Sequence, residues 1–170
     1  VLTKTIRALE YGITQVPQIN GHFQQKTYQV KRMQNLHLGL AVASQSELFL
    51  PVITNTQDLS DAQLRTQIQE YKHQATTDNF SPDQLTGFSL ILTNNGSLGI
   101  KYGTPVVISP CICSVAIGKL DNKLIQTPTG TIKNIPILPI SISFDHRVIT
   151  GAEAAAFMHA IGEYFQKDTV

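Results

Sequence analysis

The chain has 170 residues, 42% of them hydrophobic, and a formal net charge of +1. That length and apolar content suit one domain with a sizeable core. Lys and Arg form no basic stripe for nucleic acid, and no apolar run approaches the roughly 18 residues that cross a membrane as a helix.

Leu2, Ile6, Leu9 and Ile13 fall at i, i+4, i+7 and i+11, which predicts an amphipathic helix already under way at residue 1 with no cap before it. No basic segment followed by an apolar stretch and a cleavage site is visible, so no secretory signal is expected. The run Val16-Pro17-Gln18-Ile19-Asn20-Gly21 ends the helix and opens a turn, after which 27–30 and 36–43 read as strands. A further extended segment covers 49–53, where Pro51 has no amide to donate and implies an edge or a bulge.

Ser60 with Gln63 forms a capping box for a second helix, whose apolar face is Leu64, Ile68, Tyr71 and Ala75. A polar loop over 76–84 follows, with turn chemistry at Ser81-Pro82-Asp83. Strands are expected at 88–93, 106–108 and 113–118, then a hairpin turning at Thr127-Pro128-Thr129-Gly130. The segment 135–144 reads as one extended run. A last helix over 151–165 buries Ala154, Phe157, Met158, Ile161 and Phe165. Helices set between groups of strands argue for an α+β, mixed α/β two-layer sandwich without internal repeats.

The strand-to-helix junction Ser141-Ile142-Ser143-Phe144-Asp145-His146-Arg147-Val148-Ile149-Thr150-Gly151-Ala152-Glu153-Ala154 carries the strongest chemical signal. A histidine held where a strand turns into a helix has few torsional options and can serve as an aimed general base. Asp145 and Arg147 are suited to hold the turn by a local ion pair or hydrogen bonds. Thr150 with Glu153, across Gly151, makes another capping box. For an isolated histidine the competing reading is structural, with the ring satisfied by local hydrogen bonds.

This junction resembles the active-site signature of dihydrolipoyl acyltransferases, the core enzymes of 2-oxoacid dehydrogenase complexes, which share a fold with chloramphenicol acetyltransferase. A second correspondence is Leu90-Ile91-Leu92-Thr93-Asn94-Asn95-Gly96-Ser97-Leu98-Gly99 followed by Gly103-Thr104-Pro105-Val106, similar to the family's strand and Gly-rich turn. Weaker ones run in family order through Pro17-Gln18-Ile19-Asn20, Leu38-Gly39-Leu40-Ala41-Val42-Ala43, Leu50-Pro51-Val52-Ile53 and Val115-Ala116-Ile117-Gly118. The resemblance covers nearly all 170 residues as a single catalytic domain, with the N-terminal part of the family domain expected to be missing.

The resemblance implies an acyltransferase that moves an acyl group between dihydrolipoamide and coenzyme A, with His146 as general base and Thr93 stabilising the oxyanion. It also implies a homotrimer with each site between two subunits, a larger core assembly, other dehydrogenase-complex subunits as partners, and a bacterial cytoplasm or mitochondrial matrix. The lipoyl group would be carried on a domain outside this chain. A free thiol near ~8.5 and a free imidazole near ~6.5 put the proton transfer uphill by roughly 2.7 kcal/mol. One letter departs: the family's Asp four residues after the His is Thr150. The family's partner for that Asp is an Arg on a segment expected upstream of residue 1, so Thr is the less costly occupant if that Arg is absent. The alternative is therefore a catalytically impaired core or scaffold domain.

Other residues carry less. Cys111 and Cys113 are too close for an ordinary disulfide, which fits a reducing compartment, and without a matching Cys or His pair they read as buried or idle thiols. His22, His37, His73 and His159 are placed in a loop, a strand and two helices. Ser143, Asp145 and His146 lack a nucleophile elbow, so they are not read as a hydrolase triad. Gly96, Gly99 and Gly103 do not match a phosphate-binding loop.

Overall fold

A computed structural model describes residues 1–44 and 47–167. Among them are three α-helices, α1 (Leu2–Gln15), α2 (Asp61–Thr76) and α3 (Gly151–Lys167). Ten strands accompany them: β1 (Gly21–Gln24), β2 (Gln29–Arg32), β3 (Leu38–Ala43), β4 (Leu48–Phe49), β5 (Val52–Ile53), β6 (Leu90–Asn94), β7 (Cys113–Ile117), β8 (Asp121–Gln126), β9 (Ile132–Ile137) and β10 (Ile140–Phe144). The main sheet runs β10-β7-β6-β3-β4, with β5 also on β3. β3, β6 and β7 are parallel, whereas β4, β5 and β10 pair antiparallel to their neighbours.

Alternation along the strands divides the sheet into two faces. Leu38, Leu40, Val42, Leu90, Leu92, Cys113, Val115 and Ile117 join the helices in the main core. Ile91 belongs to a smaller cluster with Val52, Phe88 and Cys111. In α1 the expected stripe is buried at Ile6, Leu9 and Ile13, and Gly12 lets α3 approach closely. A Cβ at Gly12 would lie 2.6 Å from Phe157 Cε2. Phe157 is fully buried, and such burial contributes about 2–3 kcal/mol.

The α2 capping box is formed: the Ser60 amide donates to Gln63 Oε1 (2.8 Å) and the Gln63 amide to Ser60 Oγ (3.3 Å). Its four expected core residues are all buried, and the Tyr71 hydroxyl donates to the Val52 carbonyl (2.8 Å). Pro51 does interrupt an edge: β4 and β5 pair with successive parts of β3, and the Pro51 carbonyl accepts from the Leu40 amide (2.9 Å).

Several local expectations are corrected. The strand expected at 27–30 begins only at Gln29: residues 25–28 are the turn of the β1–β2 hairpin, with Tyr28 at φ 55°, and β2 is exposed along its length. This also puts His22 in a strand, and β3 begins at Leu38, after His37. Residues 106–108 form no strand; they lie in a long connection over 99–112, in which Cys111 makes an isolated antiparallel bridge to His22 of β1. The run 135–144 divides into β9 and β10 because Pro139 lacks an amide, while its carbonyl accepts from Gly118 (2.8 Å). In α3, Ala160 joins Ala154, Phe157 and Ile161 as buried, whereas Met158 and Phe165 pack only partly against the core. The hairpin turn at Gly130 is where the Thr-Pro-Thr-Gly run places it, with φ 83°.

Candidate active site

The His146 turn is built by backbone and charge together. After β10, the Asp145 amide donates to the Ile112 carbonyl (2.8 Å), and the amides of Val148 and Ile149 both donate to the Asp145 carbonyl (3.0 Å). The Asp145 carboxylate accepts from the Arg147 amide (3.0 Å), from Arg147 Nε (2.9 Å) and from Arg147 Nη2 (2.6 Å). Arg147 thereby holds the Asp145 carboxyl below the usual carboxylate range, against burial, which acts the other way. The Asp145 side chain is 15% exposed, so this fork is shielded on the acid's side. His146, between the two, is exposed to solvent, with its ring tilted against Phe144 at 5.5 Å.

Ile149 is fully buried and anchors the end of the turn, and Thr150 then caps α3. The Glu153 amide donates to Thr150 Oγ1 (3.3 Å). Glu153 Oε2 in return accepts from the Thr150 amide (2.8 Å) and hydroxyl (2.8 Å). The Thr150 hydroxyl is committed to the cap.

Thr93 is half-buried near the end of β6. The chain then enters a tight 3-10 turn over Asn95–Leu98, in which Ser97 Oγ donates to the Asn94 carbonyl (2.8 Å) and Gly99 takes φ 78°. Gly96 packs on the β7–β8 connection so closely that a Cβ there would lie 2.6 Å from the Gly118 carbonyl oxygen. The Lys119 amide donates to the Ile100 carbonyl (2.8 Å), and Lys101 pairs with Asp121, so the chain leaving the turn is held. Among the described residues the Thr93 hydroxyl has no hydrogen-bond partner, leaving its proton available to a ligand.

Within one chain these two groups do not meet. Thr93 is level with Ala116, and Ala116 is level with Ser141 on β10. From Ser141 the strand runs about 10 Å to Phe144 before the turn, and two strand spacings add about 10 Å across. Phe144 alone is thus some 14 Å from Thr93, and His146 lies beyond it. Within one chain His146 and Thr93 thus stand at opposite ends of the sheet, too far apart to act together on one small reacting group.

A cavity of about 330 Å³ opens beside the His146 turn, lined by Phe23, Gln25, Val107, Ser109, Pro110, Cys111, Asp145 and Arg147. Its β1–β2 wall was not foreseen from sequence. The Arg147 guanidinium lies 4.2 Å from the centre of the Phe23 ring. Cys111 donates to the Phe88 carbonyl (3.1 Å), and burial pushes its thiol up to about 12; Cys113, more deeply buried, is raised further. Neither is a thiolate near neutrality. His22 Nε2 bonds the same Phe88 carbonyl (2.7 Å), and burial, with His22 nearby, lowers His37. Among the described residues no group of three or more His, Cys, Asp or Glu could hold a metal ion.

The family model for the 2-oxoacid dehydrogenases acyltransferase (catalytic domain) matches residues 1–169. The lipoamide acyltransferase component of the Arabidopsis thaliana branched-chain alpha-keto acid dehydrogenase complex is 28% identical over 98% of this chain and 34% of its own length. The dihydrolipoyllysine-residue acetyltransferase component of the Acholeplasma laidlawii pyruvate dehydrogenase complex is 32% identical over 96% of this chain and 30% of its own. The chain thus spans about a third of the length of these curated relatives.

Among solved structures, Azotobacter vinelandii dihydrolipoamide acetyltransferase superposes with a TM-score of 0.89 at 27% identity, covering 96% of this chain and 67% of that one. In that enzyme a serine, a histidine 52 residues later and an asparagine four beyond it have been investigated for their role in the catalytic mechanism. Here Thr93 precedes His146 by 53 residues, and Thr150 follows by four, so the position expected to carry an Asp in the family is an amide in that relative. The cubic core of a pyruvate dehydrogenase multienzyme complex also matches at 0.89, with 28% identity over 96% of this chain and 67% of that one. Chloramphenicol acetyltransferase shares the fold, with a TM-score of 0.61 at 13% identity over 96% of this chain and 76% of that one.

Proposed function

The chain belongs to the 2-oxoacid dehydrogenase acyltransferase (catalytic domain) family, and from that premise we propose that it transfers an acyl group between dihydrolipoamide and coenzyme A. The observation that carries this is the His146 turn, an exposed imidazole on a turn held by the Asp145–Arg147 fork. His146 takes the proton from the attacking thiol, and the sulfur forms a bond to the thioester carbonyl carbon. Thr93 donates to the resulting oxyanion, worth about 3 kcal/mol for one such donor. Collapse breaks the original carbon–sulfur bond, and the departing thiolate recovers the proton from His146.

Because His146 and Thr93 lie at opposite ends of the sheet, the reaction is proposed to occur between subunits of a homotrimer, His146 from one chain facing Thr93 of the next. Exposed apolar side chains support association. Leu98, Tyr102, Val106, Leu124 and Ile132 are each about 70% exposed, on the Gly-rich turn, the 99–112 connection and the β8–β9 hairpin. The likeness to a cubic core supports further assembly with dehydrogenase-complex subunits, the lipoyl group arriving on a separate domain. His146→Ala should abolish thiol-dependent acyl-CoA turnover while the assembly survives, and undiminished turnover would overturn the assignment.

A second reading, a scaffold that has lost turnover, is favoured by Thr150, whose hydroxyl is occupied by the α3 cap where the Azotobacter vinelandii enzyme has asparagine. Binding of acyl-CoA without turnover would establish it.

A further inference from the structure

Resting on the acyl-transfer reading of His146, we propose that Phe23 is a positioning residue for this histidine, acting through Arg147 from the β1–β2 hairpin. The contacts form a continuous chain. The Phe23 amide donates to the Pro110 carbonyl (2.8 Å), which ties the hairpin to the connection leading into β7. The Phe23 ring stands edge-on to Tyr28, with centroids 6.1 Å apart and planes at 79°. The ring is also packed against the main core, and the Arg147 guanidinium lies 4.2 Å from its centre, a cation–π geometry.

Arg147 is the half of the fork that solvent could pull away, with its side chain 58% exposed against 15% for Asp145. The aromatic face holds it over the turn, and the turn sets the direction of His146. Removing the π-face frees the guanidinium to leave Asp145, and His146 then samples directions that do not meet the thiol. Because the defect lies in aiming, it falls on kcat more than on KM.

The experiment compares wild type with Phe23→Ala, Phe23→Leu and Phe23→Tyr in the full chain, using acetyl-CoA and dihydrolipoamide. A second readout follows the His146 ring ¹H–¹³C signal, assigned by its loss in His146→Ala. Leu keeps apolar bulk without a π-face, and Tyr keeps the face. Phe23→Leu and Phe23→Ala should lower kcat about three- to tenfold with KM within about twofold, while Phe23→Tyr stays within about twofold of wild type. Full kcat in Phe23→Leu, or a change confined to KM, would overturn the proposal. Should wild type show no turnover, the acyl-transfer reading fails and the ring signal decides. A signal displaced or broadened in Phe23→Leu and restored in Phe23→Tyr sustains the positioning role; an unchanged signal overturns it.

Discussion

Replacing Thr150 separates its two possible jobs, capping α3 and supporting His146. Thr150→Ala deletes the bond from the Glu153 amide and the bond from the hydroxyl to Glu153 Oε2, leaving only the backbone donation. Losing a side-chain cap costs about 1 kcal/mol, which for a chain of this size lowers Tm by roughly 3 °C. Thr150→Asn supplies an acceptor and a donor in the same places, so it should melt within about 1 °C of wild type. Thr150→Asp keeps the acceptor but sets a second carboxylate against Glu153. The Glu153 carboxyl is held below its usual range, first by the Thr150 amide and then by the hydroxyl, so it is ionised at neutral pH. The Asp variant should therefore melt below the Asn variant at pH 7. The gap should close as pH falls through about 4, where one of the two carboxylates takes a proton. Thermal melts of the three variants at pH 7, 5 and 4 measure this. An Ala variant as stable as wild type, or Asp and Asn variants indistinguishable at pH 7, would refute the capping assignment.

Gly12→Ala pits helix propensity, a gain of about 1 kcal/mol, against an overpacked Phe157 that has nowhere to move, a cost of about 1–3 kcal/mol. A fall in Tm of a few degrees is expected, recovered largely by adding Phe157→Leu; a raised Tm in the single variant would contradict the close helix contact. Asp145→Asn should weaken the fold most at neutral pH. A carboxyl held below its usual range contributes stability above about 3.9 and loses it as pH falls through its lower folded value. Denaturant midpoints of wild type and Asp145→Asn should converge below about pH 4; a constant difference would exclude the Arg147 fork as the cause.

The helices were legible because each signal was local: the 3.6-residue stripe of α1, the capping boxes at Ser60 and Thr150, and the strand-to-helix alternation around His146. The β1–β2 hairpin was not, because 24–32 is exposed throughout and has no buried face to impose alternation. Phe23 was missed with it, since its significance lies in a contact with Arg147 far along the chain. Residues 106–108 misled in the opposite sense: three apolar letters with strand propensity lie where no neighbour offers a ladder. Both candidate residues, His146 and Thr93, are legible in the sequence, but the distance between them is not. That distance depends on β10 running antiparallel to β7 while β6 runs parallel to it, a pairing that no spacing along the sequence encodes.

The shared site is tested most directly by mixing two inactive variants. His146→Ala still carries Thr93, and Thr93→Ala still carries His146. If each site takes one group from each neighbour, co-assembled chains regenerate sites with both. Random mixing of equal amounts then gives about one quarter of wild-type turnover, since each group is intact in half of the chains. Turnover no greater than the average of the two variants alone would contradict a site built between subunits.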